Sequence, residues 1–285
     1  MNHDLQFDYT TVGHVTIDVL DDGSRRAGGT AFYSAVQAAR LGLRTLIVTR
    51  GVPGEIDELL EPHRGELRLK VLPAPHTTTL RTLGSGSDRS QRVLAWAGPI
   101  AEDLALDTAI LHLAPVARET PGRWRGHAAF VGLTPQGLVR EWSEPGGRIT
   151  QAPPAGAAAA VAARCDAIVV SEHERASCAG LIAGATAAGA VVAITAGAGP
   201  NTILAPGGEA LELDVPTLER PVDDLGAGDV FAAAFFVSLS EGRSPLDAAA
   251  FANAAAAVRM RGSGAGAIGG REEIEARLSR AEPRR

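Results

Sequence analysis

The chain has 285 residues, of which 45% are hydrophobic and 4% aromatic, and it carries a formal net charge of −6 at pH 7. This length is sufficient for one large domain with a sizeable core. The acidic balance and the lack of a long basic stripe argue against a nucleic-acid partner, because phosphate backbones are bound mainly by clustered Lys and Arg. Since no apolar run reaches the length of a membrane span, we also expect no membrane partner.

The beginning of the chain and its two cysteines bear on the cellular compartment. The first twenty residues contain three Asp and lack the basic and then apolar pattern of a secretory signal. Cys165 and Cys178 are thirteen positions apart with no second pair, which fits neither a disulfide framework nor a four-ligand zinc site. We therefore expect a cytoplasmic protein with buried free thiols.

Apolar β-branched runs alternate along the chain with segments of helical spacing. Such alternation predicts a mostly parallel sheet with helices on both faces. We therefore predict an α/β fold, a three-layer α/β/α sandwich formed by one domain over residues 1–285. The predicted strands are 12–19, 45–48, 67–72, 109–113, 128–133, 167–170 and 191–195, and the predicted helices are 30–41, 154–164, 174–188, 226–239, 245–259 and 271–281.

Two short predicted strands, 77–83 and 92–96, interrupt this repeat and are joined by a polar connector at 84–89. A hairpin in this position is what a small lid over a binding site would look like. Because the segment 18–28 is also short, we predict a minimal lid from about 18–28 and 77–97. The alternative is an exposed hairpin with no part in catalysis.

The segment 222–231 contains a Gly-Ala-Gly turn that opens an apolar, Ala-rich helix and is followed by Asp229. Free backbone N–H groups at a helix start can bind an anion. An Asp beside that anion can take the proton of a hydroxyl that attacks phosphorus. The pattern therefore indicates phosphoryl transfer, although an ordinary turn with an acidic residue at a helix start gives the same short sequence.

Residues 223–229 resemble the C-terminal signature Asp-Thr-x-Gly-Ala-Gly-Asp of the ribokinase-like, or PfkB, carbohydrate kinases, except that Asp224 replaces the Thr. The N-terminal signature of that family also has a counterpart. Gly28 and Gly29 open a helix that ends in Ala-Arg-Leu-Gly at 39–42. Two signatures in the right order, roughly 200 residues apart, are more specific than either one alone. The resemblance implies the ribokinase-like sandwich with a small β lid.

The resemblance also implies roles for individual residues. Asp229 would be the catalytic base, and the backbone amides of Gly226, Ala227 and Gly228 would stabilise the transferring γ-phosphoryl group. Tyr33 stands where many family members have an Asn, which bears on specificity for ribose or fructose 6-phosphate. The expected substrate-binding residues are Asp18, Gly28, Gly29, Tyr33, Arg92 and Gln136, with Arg81 and Arg140 as further candidates; solvated surface side chains are the alternative for the arginines and for Gln136.

The expected Mg²⁺ and nucleotide positions follow two further strands. Glu174 fits the family's Asn-x-x-Glu motif for Mg²⁺, with Ser171 in place of the Asn, but the same four residues also satisfy a helix capping box. The segment 195–199 resembles a Thr-x-Gly-x-x-Gly nucleotide loop whose second glycine comes one position early. The expected nucleotide-binding residues are Thr195, Gly197, Gly199, Asn253 and Gly264; an Ala- and Gly-rich helix and turn explain the last two without a ligand.

These features together predict an ATP-dependent, Mg²⁺-assisted kinase that phosphorylates a hydroxyl of a sugar or of a polyol such as inositol. Lys70 is the only lysine, so the lysine-dependent P-loop is excluded. Activation by a monovalent cation stays open, and a homodimer through the lid is expected from the family. One alternative is a nucleoside or vitamin-precursor kinase of the same superfamily, although few rings are present to stack a base. The other is a catalytically silent sugar-binding or regulatory protein, which the departures at Tyr33, Asp224 and Ser171 keep open.

Overall fold

The computed structural model describes residues 6–84, 90–100, 104–120, 123–143, 146–154, 158–207, 209–215, 218 and 221–281. The helices are α1 (Thr30–Arg40), α2 (Pro53–Leu59), α3 (Gln136–Val139), α4 (Ala158–Ala162), α5 (Ala179–Ala187), α6 (Ala227–Ser240), α7 (Pro245–Arg259) and α8 (Arg271–Ala281). The strands are β1 (Phe7–Val12), β2 (Thr16–Val19), β3 (Arg25–Gly28), β4 (Thr45–Gly51), β5 (Leu67–Pro73), β6 (Thr79–Leu83), β7 (Ser90–Ala95), β8 (Thr108–Leu113), β9 (Ala128–Leu133), β10 (Arg140–Glu141), β11 (Gly147–Arg148), β12 (Thr150–Gln151), β13 (Ala167–Ser171), β14 (Val191–Thr195), β15 (Asn201–Leu204) and β16 (Ala210–Leu213).

A nine-stranded sheet of order β16-β15-β14-β13-β9-β8-β1-β4-β5 forms the centre of the molecule. All strand pairs from β14 to β5 are parallel, whereas β15 and β16 continue the sheet in antiparallel pairs. Parallel strands end at the same edge of the sheet, where α/β proteins bind their ligands. The mostly parallel sheet is thus confirmed.

Hydrophobic cores lie on both faces of this sheet, because successive strand residues point to opposite sides. Ile110 of β8 belongs to a core with α1, α6, α7 and α8, whereas its neighbour Leu111 belongs to a core with α4 and α5. In β13, Val169 belongs to the first of these cores and its neighbour Ile168 to the second. This arrangement confirms the predicted three-layer sandwich.

A second sheet of order β11-β7-β6-β2-β3 lies beside the carboxyl edge of the large one. Three of its strands, β3, β6 and β7, fall within the two predicted lid segments, and β2 overlaps the first segment at residues 18–19. The fifth strand, Gly147–Arg148, was not predicted to belong to it. We call this five-stranded unit the small sheet. Of the predicted connector 84–89, residues 85–89 lie outside the described part of the chain. The lid function of the small sheet stays a prediction.

The predicted strand 12–19 was wrong as one element. It is the end of β1 and all of β2, and these strands belong to different sheets. The chain leaves the large sheet at Gly13, where a side chain would meet the carbonyl oxygen of Ala114 at 2.1 Å. The predicted helix 174–188 is also divided, into a 3-10 turn at Glu172–Glu174 and α5. Of the predicted helix 154–164, α4 is described and residues 155–157 lie outside the description.

Both cysteines are free and buried, as predicted. Burial raises the pKa of Cys165 and that of Cys178 to about 12, so neither thiol ionises near neutral pH. Within the described ranges, no helix has both the length and the apolar character needed to cross a membrane.

Phe236 of α6 tests the core between the helices and the sheet. Its ring is fully buried and contacts His112 edge-on at a centroid distance of 4.9 Å. Phe236→Ala would leave a cavity that the surrounding side chains fill only in part, so it should lower the free energy of unfolding by about 3–5 kcal/mol. Leu94→Ala, at a side chain 39% exposed, should change it by less than about 0.5 kcal/mol. Urea denaturation of both variants measures the contrast, and equal losses would contradict this description of the core.

Candidate active site

A cleft of about 510 Å³ lies between the carboxyl ends of β9, β13 and β14, the N-terminus of α6 and the small sheet. Strands of the two sheets and two helix starts therefore contribute to one cavity. The predicted site residues that line it are Asp18, Gly29, Tyr33, Gln136, Glu174, Thr195, Gly226, Gly228 and Asp229. Both family-like signatures thus meet in one place, although they are roughly 200 residues apart in sequence.

The three positions of the glycine turn at the start of α6 differ in backbone conformation, hydrogen bonding and the space around them. Gly226 is the N-cap with φ of 82°, and a side chain there would meet the ring of Tyr33 at 2.5 Å. The N–H of Ala227 donates to the carbonyl oxygen of Asp224 at 3.1 Å, so we do not count this amide as a free anion donor. A side chain at Gly228 would meet nothing within 4 Å. The turn thus presents the N–H groups of Gly226 and Gly228, at the positive end of the helix dipole.

Asp223 and Arg259 hold this turn from behind. The Asp223 carboxylate accepts hydrogen bonds from the N–H groups of Leu225 (2.9 Å) and Gly264 (3.2 Å). Arg259, whose side chain is 0% exposed, pairs with the same carboxylate at 3.0 Å, and Arg26 pairs with it at 3.1 Å. Burial alone would raise the pKa of Asp223, but these N–H groups and the two guanidinium groups lower it to about 2.

Asp229 follows the turn in the first helical turn of α6, and it is partly buried in the cleft. Burial raises the pKa of Asp229 to about 7, and the carboxylates of Glu174 and Asp18 act in the same direction. A hydrogen bond from Thr30 and the charge of Arg140 oppose this rise. A carboxyl with a pKa near neutrality can accept and release a proton at physiological pH.

A chain of polar side chains links Asp229 to Arg140. The Thr30 hydroxyl is hydrogen-bonded to Asp229 and accepts a short hydrogen bond from the Gln136 amide. The Gln136 Oε1 in turn accepts from Arg140 at 3.0 Å, and Arg140 also donates to Gln91 at 2.9 Å and to the carbonyl oxygen of Val116 at 2.9 Å. Gln136 therefore holds two cleft-lining side chains, so it is not the solvated residue that the sequence left as an alternative.

Two glycines adjoin Asp18 at the other wall of the cleft. A side chain at Gly28 would meet the Asp18 carboxylate at 2.1 Å. Gly29 has φ of 92°, and a side chain there would meet the His14 carbonyl oxygen at 2.3 Å. Asp18 itself is 3% exposed and accepts a hydrogen bond from Thr16 at 2.7 Å. The absence of a side chain at Gly28 therefore lets the Asp18 carboxylate pack against the backbone beside α1, and its absence at Gly29 lets the chain approach the His14 carbonyl.

Glu174 lines the cleft and forms the capping box that the sequence offered as an alternative. Its Oε2 accepts from the Ser171 N–H at 3.3 Å, and the Ser171 side chain accepts from the Glu174 backbone. Mg²⁺ is commonly bound through only one or two carboxylates, with water and phosphate as the other ligands. No group of three or more acidic, His or Cys side chains converges as a metal site among the described residues. Glu174, as one of the carboxylates that line the cleft, therefore fits Mg²⁺ held chiefly through water and a bound phosphate.

The predicted nucleotide-binding residues are only partly brought together. Thr195 ends β14 and lines the cleft, but Gly197, Gly199, Asn253 and Gly264 do not line it. Asn253 accepts a hydrogen bond from Asn201 at 2.8 Å, while its buried Nδ2 has no partner among the described residues. Gly264 lies at a second cavity and donates its N–H to Asp223. A nucleotide base is therefore not accounted for by this cleft alone.

Arg92 does not line the cleft. On β7, the buried Val93 and the cleft-lining Gln91 point to one side, so the intervening Arg92 points to the other, where it donates to the Gly146 carbonyl oxygen at 3.0 Å. The cleft arginines are Arg140 and Arg148 instead. Sequence reasoning missed Gln91, Thr30 and Arg148, and strand alternation could have identified Gln91 once the strand register was known.

The two turn glycines should respond in opposite directions to substitution by alanine. Gly226→Ala places a side chain on a left-handed backbone and against Tyr33, so it should destabilise the protein by at least about 1–2 kcal/mol. Gly228→Ala adds a helix-favouring residue in open space and should stabilise it by about 0.5 kcal/mol. Thermal and urea unfolding of both variants measure these changes. A stable Gly226→Ala variant would contradict the close packing of the turn on Tyr33.

The raised pKa of Asp229 also predicts a pH-dependent stability difference from Asp229→Asn. Between about pH 4 and pH 7 the folded protein retains a proton that the unfolded chain releases, so the stability of the wild type falls relative to the variant as pH rises. Above pH 7 the variant should be the more stable by on the order of 3 kcal/mol, and near pH 4 the difference should vanish. Chemical denaturation at several pH values measures it. A difference independent of pH would rule out the raised pKa.

Comparison with known proteins places this cleft in context. Residues 148–269 match the family model described as pfkB family carbohydrate kinase. No curated protein sequence gives a significant match. The N-terminal signature, with Gly28 and Gly29, lies outside the matched residues.

Solved structures resemble nearly the whole chain at low sequence identity. A pyrophosphate-dependent kinase in the ribokinase family, complexed with a pyrophosphate analog and myo-inositol, has a TM-score of 0.75 at 22% identity over 94% of this chain and 99% of that one. Arabidopsis thaliana ribokinase complexed with ribose and ATP has a TM-score of 0.70 at 19% identity, over 95% of this chain and 98% of that one. Burkholderia thailandensis nucleoside kinase in complex with inosine has a TM-score of 0.72 at 16% identity, over 96% of this chain and 97% of that one. The predicted resemblance is therefore confirmed: the chain has the ribokinase-like fold, and its residues 148–269 match the PfkB carbohydrate kinase family.

Proposed function

We propose that this protein is a kinase that transfers a phosphoryl group to a hydroxyl of a sugar or polyol. One observation carries the proposal: Asp229, with a pKa of about 7, lies in the same cleft and at the same helix start as the glycine turn. Transfer to a hydroxyl requires a base for the hydroxyl proton and a positive site for the phosphoryl group. The match of residues 148–269 to the PfkB family supports the same activity.

Asp229 acts in this proposal as the general base. The attacking oxygen forms its bond to phosphorus while its proton passes to the Asp229 carboxylate, and the bond from phosphorus to the leaving oxygen breaks. Thr30 orients the carboxylate through its hydrogen bond, and Gln136 and Arg140 hold Thr30 in turn. The charge of Arg140 keeps the ionised form of Asp229 accessible near neutral pH.

The N-terminus of α6 receives the transferring group. Its free N–H groups and the helix dipole stabilise the charge on the phosphoryl oxygens. When bound, Mg²⁺ would supply further neutralisation of the phosphates, and Glu174 with Ser171 would hold it. The small sheet borders the cleft with Asp18, Gln91 and Arg148, where it would exclude water that competes with the substrate hydroxyl.

The character of the cleft wall favours a polyhydroxylated substrate. Hydroxyl, amide and charged side chains predominate, and these provide the alternating donors and acceptors that sugar hydroxyls need. Among the described residues that line the cleft, Tyr33 is the only Phe, Tyr or Trp. Burial raises the pKa of Tyr33 to about 12. A nucleoside kinase would need ring surfaces to stack a base, so we rank that function second. The hydroxyl, amide and charged residues that line the cleft include Asp18, Thr30, Ser90, Gln91, Thr134, Gln136, Arg140, Arg148 and Gln151.

The proposed phosphate donor is ATP, with pyrophosphate as the second candidate. Thr195 and the unpartnered Asn253 Nδ2 support a nucleotide. The separation of Gly197 and Gly199 from the cleft supports pyrophosphate instead, which needs only the phosphate-binding half of the site. One of the similar solved structures is of a pyrophosphate-dependent kinase, so both donors belong in the same experiment.

The decisive experiment measures phosphorylated product from a panel of inositols, pentoses, hexoses and nucleosides, with Mg²⁺ and either ATP or pyrophosphate. We expect turnover on a polyol or sugar. Asp229→Asn should lower kcat by about 10²–10⁴-fold, because it removes the general base. The wild-type kcat/KM should rise with pH through about 7, since the ionised carboxylate is the active form.

Glu172→Gln is the matched control, because it neutralises an exposed carboxylate beside the cleft that pairs only with Arg175 at 3.3 Å among its described ion pairs. It should retain wild-type turnover and the same pH profile. Product formed equally well by Asp229→Asn would remove Asp229 from the role of base. Failure of every acceptor with both donors, while sugars still raise the thermal unfolding midpoint, would favour the catalytically silent sugar-binding protein.

A further inference from the structure

The residue that holds the glycine turn, Arg259, is the last residue of α7 and has a fully buried side chain. Four oxygen atoms converge on its guanidinium group. Nη2 donates to the Asp223 carboxylate at 3.0 Å and to the Leu225 carbonyl at 2.6 Å. Nη1 donates to the carbonyls of Asp223 at 3.3 Å and Gly262 at 2.9 Å. The group thus joins the segments on both sides of the turn.

This set of oxygen atoms is the kind that binds a hard cation. Backbone carbonyls with one carboxylate coordinate alkali and alkaline-earth ions in proteins. In this chain the same oxygens are already satisfied by a side chain that carries a permanent charge. The guanidinium group lies 5.6 Å from the ring centre of Tyr33, which itself packs on Gly226, so the position is closed on that side. The residues present therefore do not fit a bound monovalent cation.

We propose that Arg259 is a built-in cation that does the work of a bound monovalent ion in positioning the glycine turn, so that the protein needs no such ion. Arg259 is a positioning residue, because it acts on the phosphoryl site through Asp223 and Leu225. This inference rests on the proposed kinase function for its activity readout. It adds that the anion-binding turn is assembled as soon as the chain folds, whatever salt is present.

The test compares the wild type with Arg259→Ala in potassium, sodium, choline and guanidinium chloride at equal ionic strength, with guanidinium at millimolar concentration. The wild type should have the same kcat in all of them, within about twofold. Arg259→Ala should lose about 10²-fold in kcat, comparable to the loss of one oxyanion donor. Guanidinium should restore part of that activity, since it can occupy the vacated position, and choline should not. Restoration of Arg259→Ala by potassium would also support the proposal, because it would show that the four oxygen atoms bind an ion once the guanidinium group is removed.

Arg40→Ala is the matched control. Arg40 also donates to backbone carbonyls of the neighbouring turn, those of Ala265 (3.1 Å), Gly266 (3.2 Å) and Ile268 (2.5 Å), but it does not contact Asp223 or Leu225 among its described hydrogen bonds. Any activity that Arg40→Ala loses should therefore not be restored by guanidinium. Rescue of both variants alike would mean that guanidinium acts on the loop generally, and this would overturn the proposal.

Thermal unfolding in the same salts separates this inference from the kinase proposal. The wild-type midpoint should not depend on the monovalent cation, and that of Arg259→Ala should rise with guanidinium, whether or not a substrate is known. Activation of the wild type by potassium or sodium by more than about threefold, or a matching rise in its midpoint, would overturn the inference. If Arg259→Ala does not fold, the wild-type salt series together with Arg259→Lys decides. A lysine retains the charge but lacks the forked donors of a guanidinium group, so turnover should fall and yet stay independent of the monovalent cation.

Discussion

The ion pair between the fully buried Arg259 and the partly buried Asp223 is the interaction on which the candidate site depends. It joins the segment before α6 to the end of α7 and fixes the glycine turn between them. Removal of the Asp223 carboxylate would leave the fully buried Arg259 charge without its ionised partner, a loss that typically costs about 3–5 kcal/mol. Here the two N–H groups that also bind Asp223 would lose their arrangement as well. The geometry of the anion site is therefore part of the folding energy of the domain.

The proposed base and the proposed anion site share one helix start but have opposite electrostatic requirements. The pKa of Asp223 is lowered to about 2 by guanidinium and N–H groups, so it stays ionised as a fixed support. The pKa of Asp229, six positions on, is raised to about 7 by burial and by the nearby carboxylates. Two aspartates of one signature thus receive different chemistry from their surroundings. One holds the turn, and the other is free to exchange a proton.

Elements with strong local patterns could be predicted, and those set by tertiary contacts could not. The parallel strands and the Ala-rich helices carry clear periodicity, and the two glycine signatures mark their helix starts. The transfer of the chain between sheets at Gly13 has no such marker, because apolar residues continue across it. The direction of Arg92 depends on strand register in the small sheet, and the burial of Arg259 depends on a partner 36 positions away. A lone Arg at a helix end otherwise indicates only a favourable dipole interaction.

The charges around α6 also make the two ends of the cleft electrostatically different. Arg26 and Arg259 both pair with Asp223, so this cluster leaves one net positive charge behind the positive end of the helix. On the proposed substrate side, Asp18 adds negative charge near Asp229 and acts with burial to raise the pKa of that carboxyl. A phosphoryl group is attracted to the first region, and a neutral hydroxyl is better tolerated than an anion in the second. In the proposed kinase, the arrangement that raises the pKa of Asp229 would therefore also separate the phosphate-donor end of the cleft from the acceptor end.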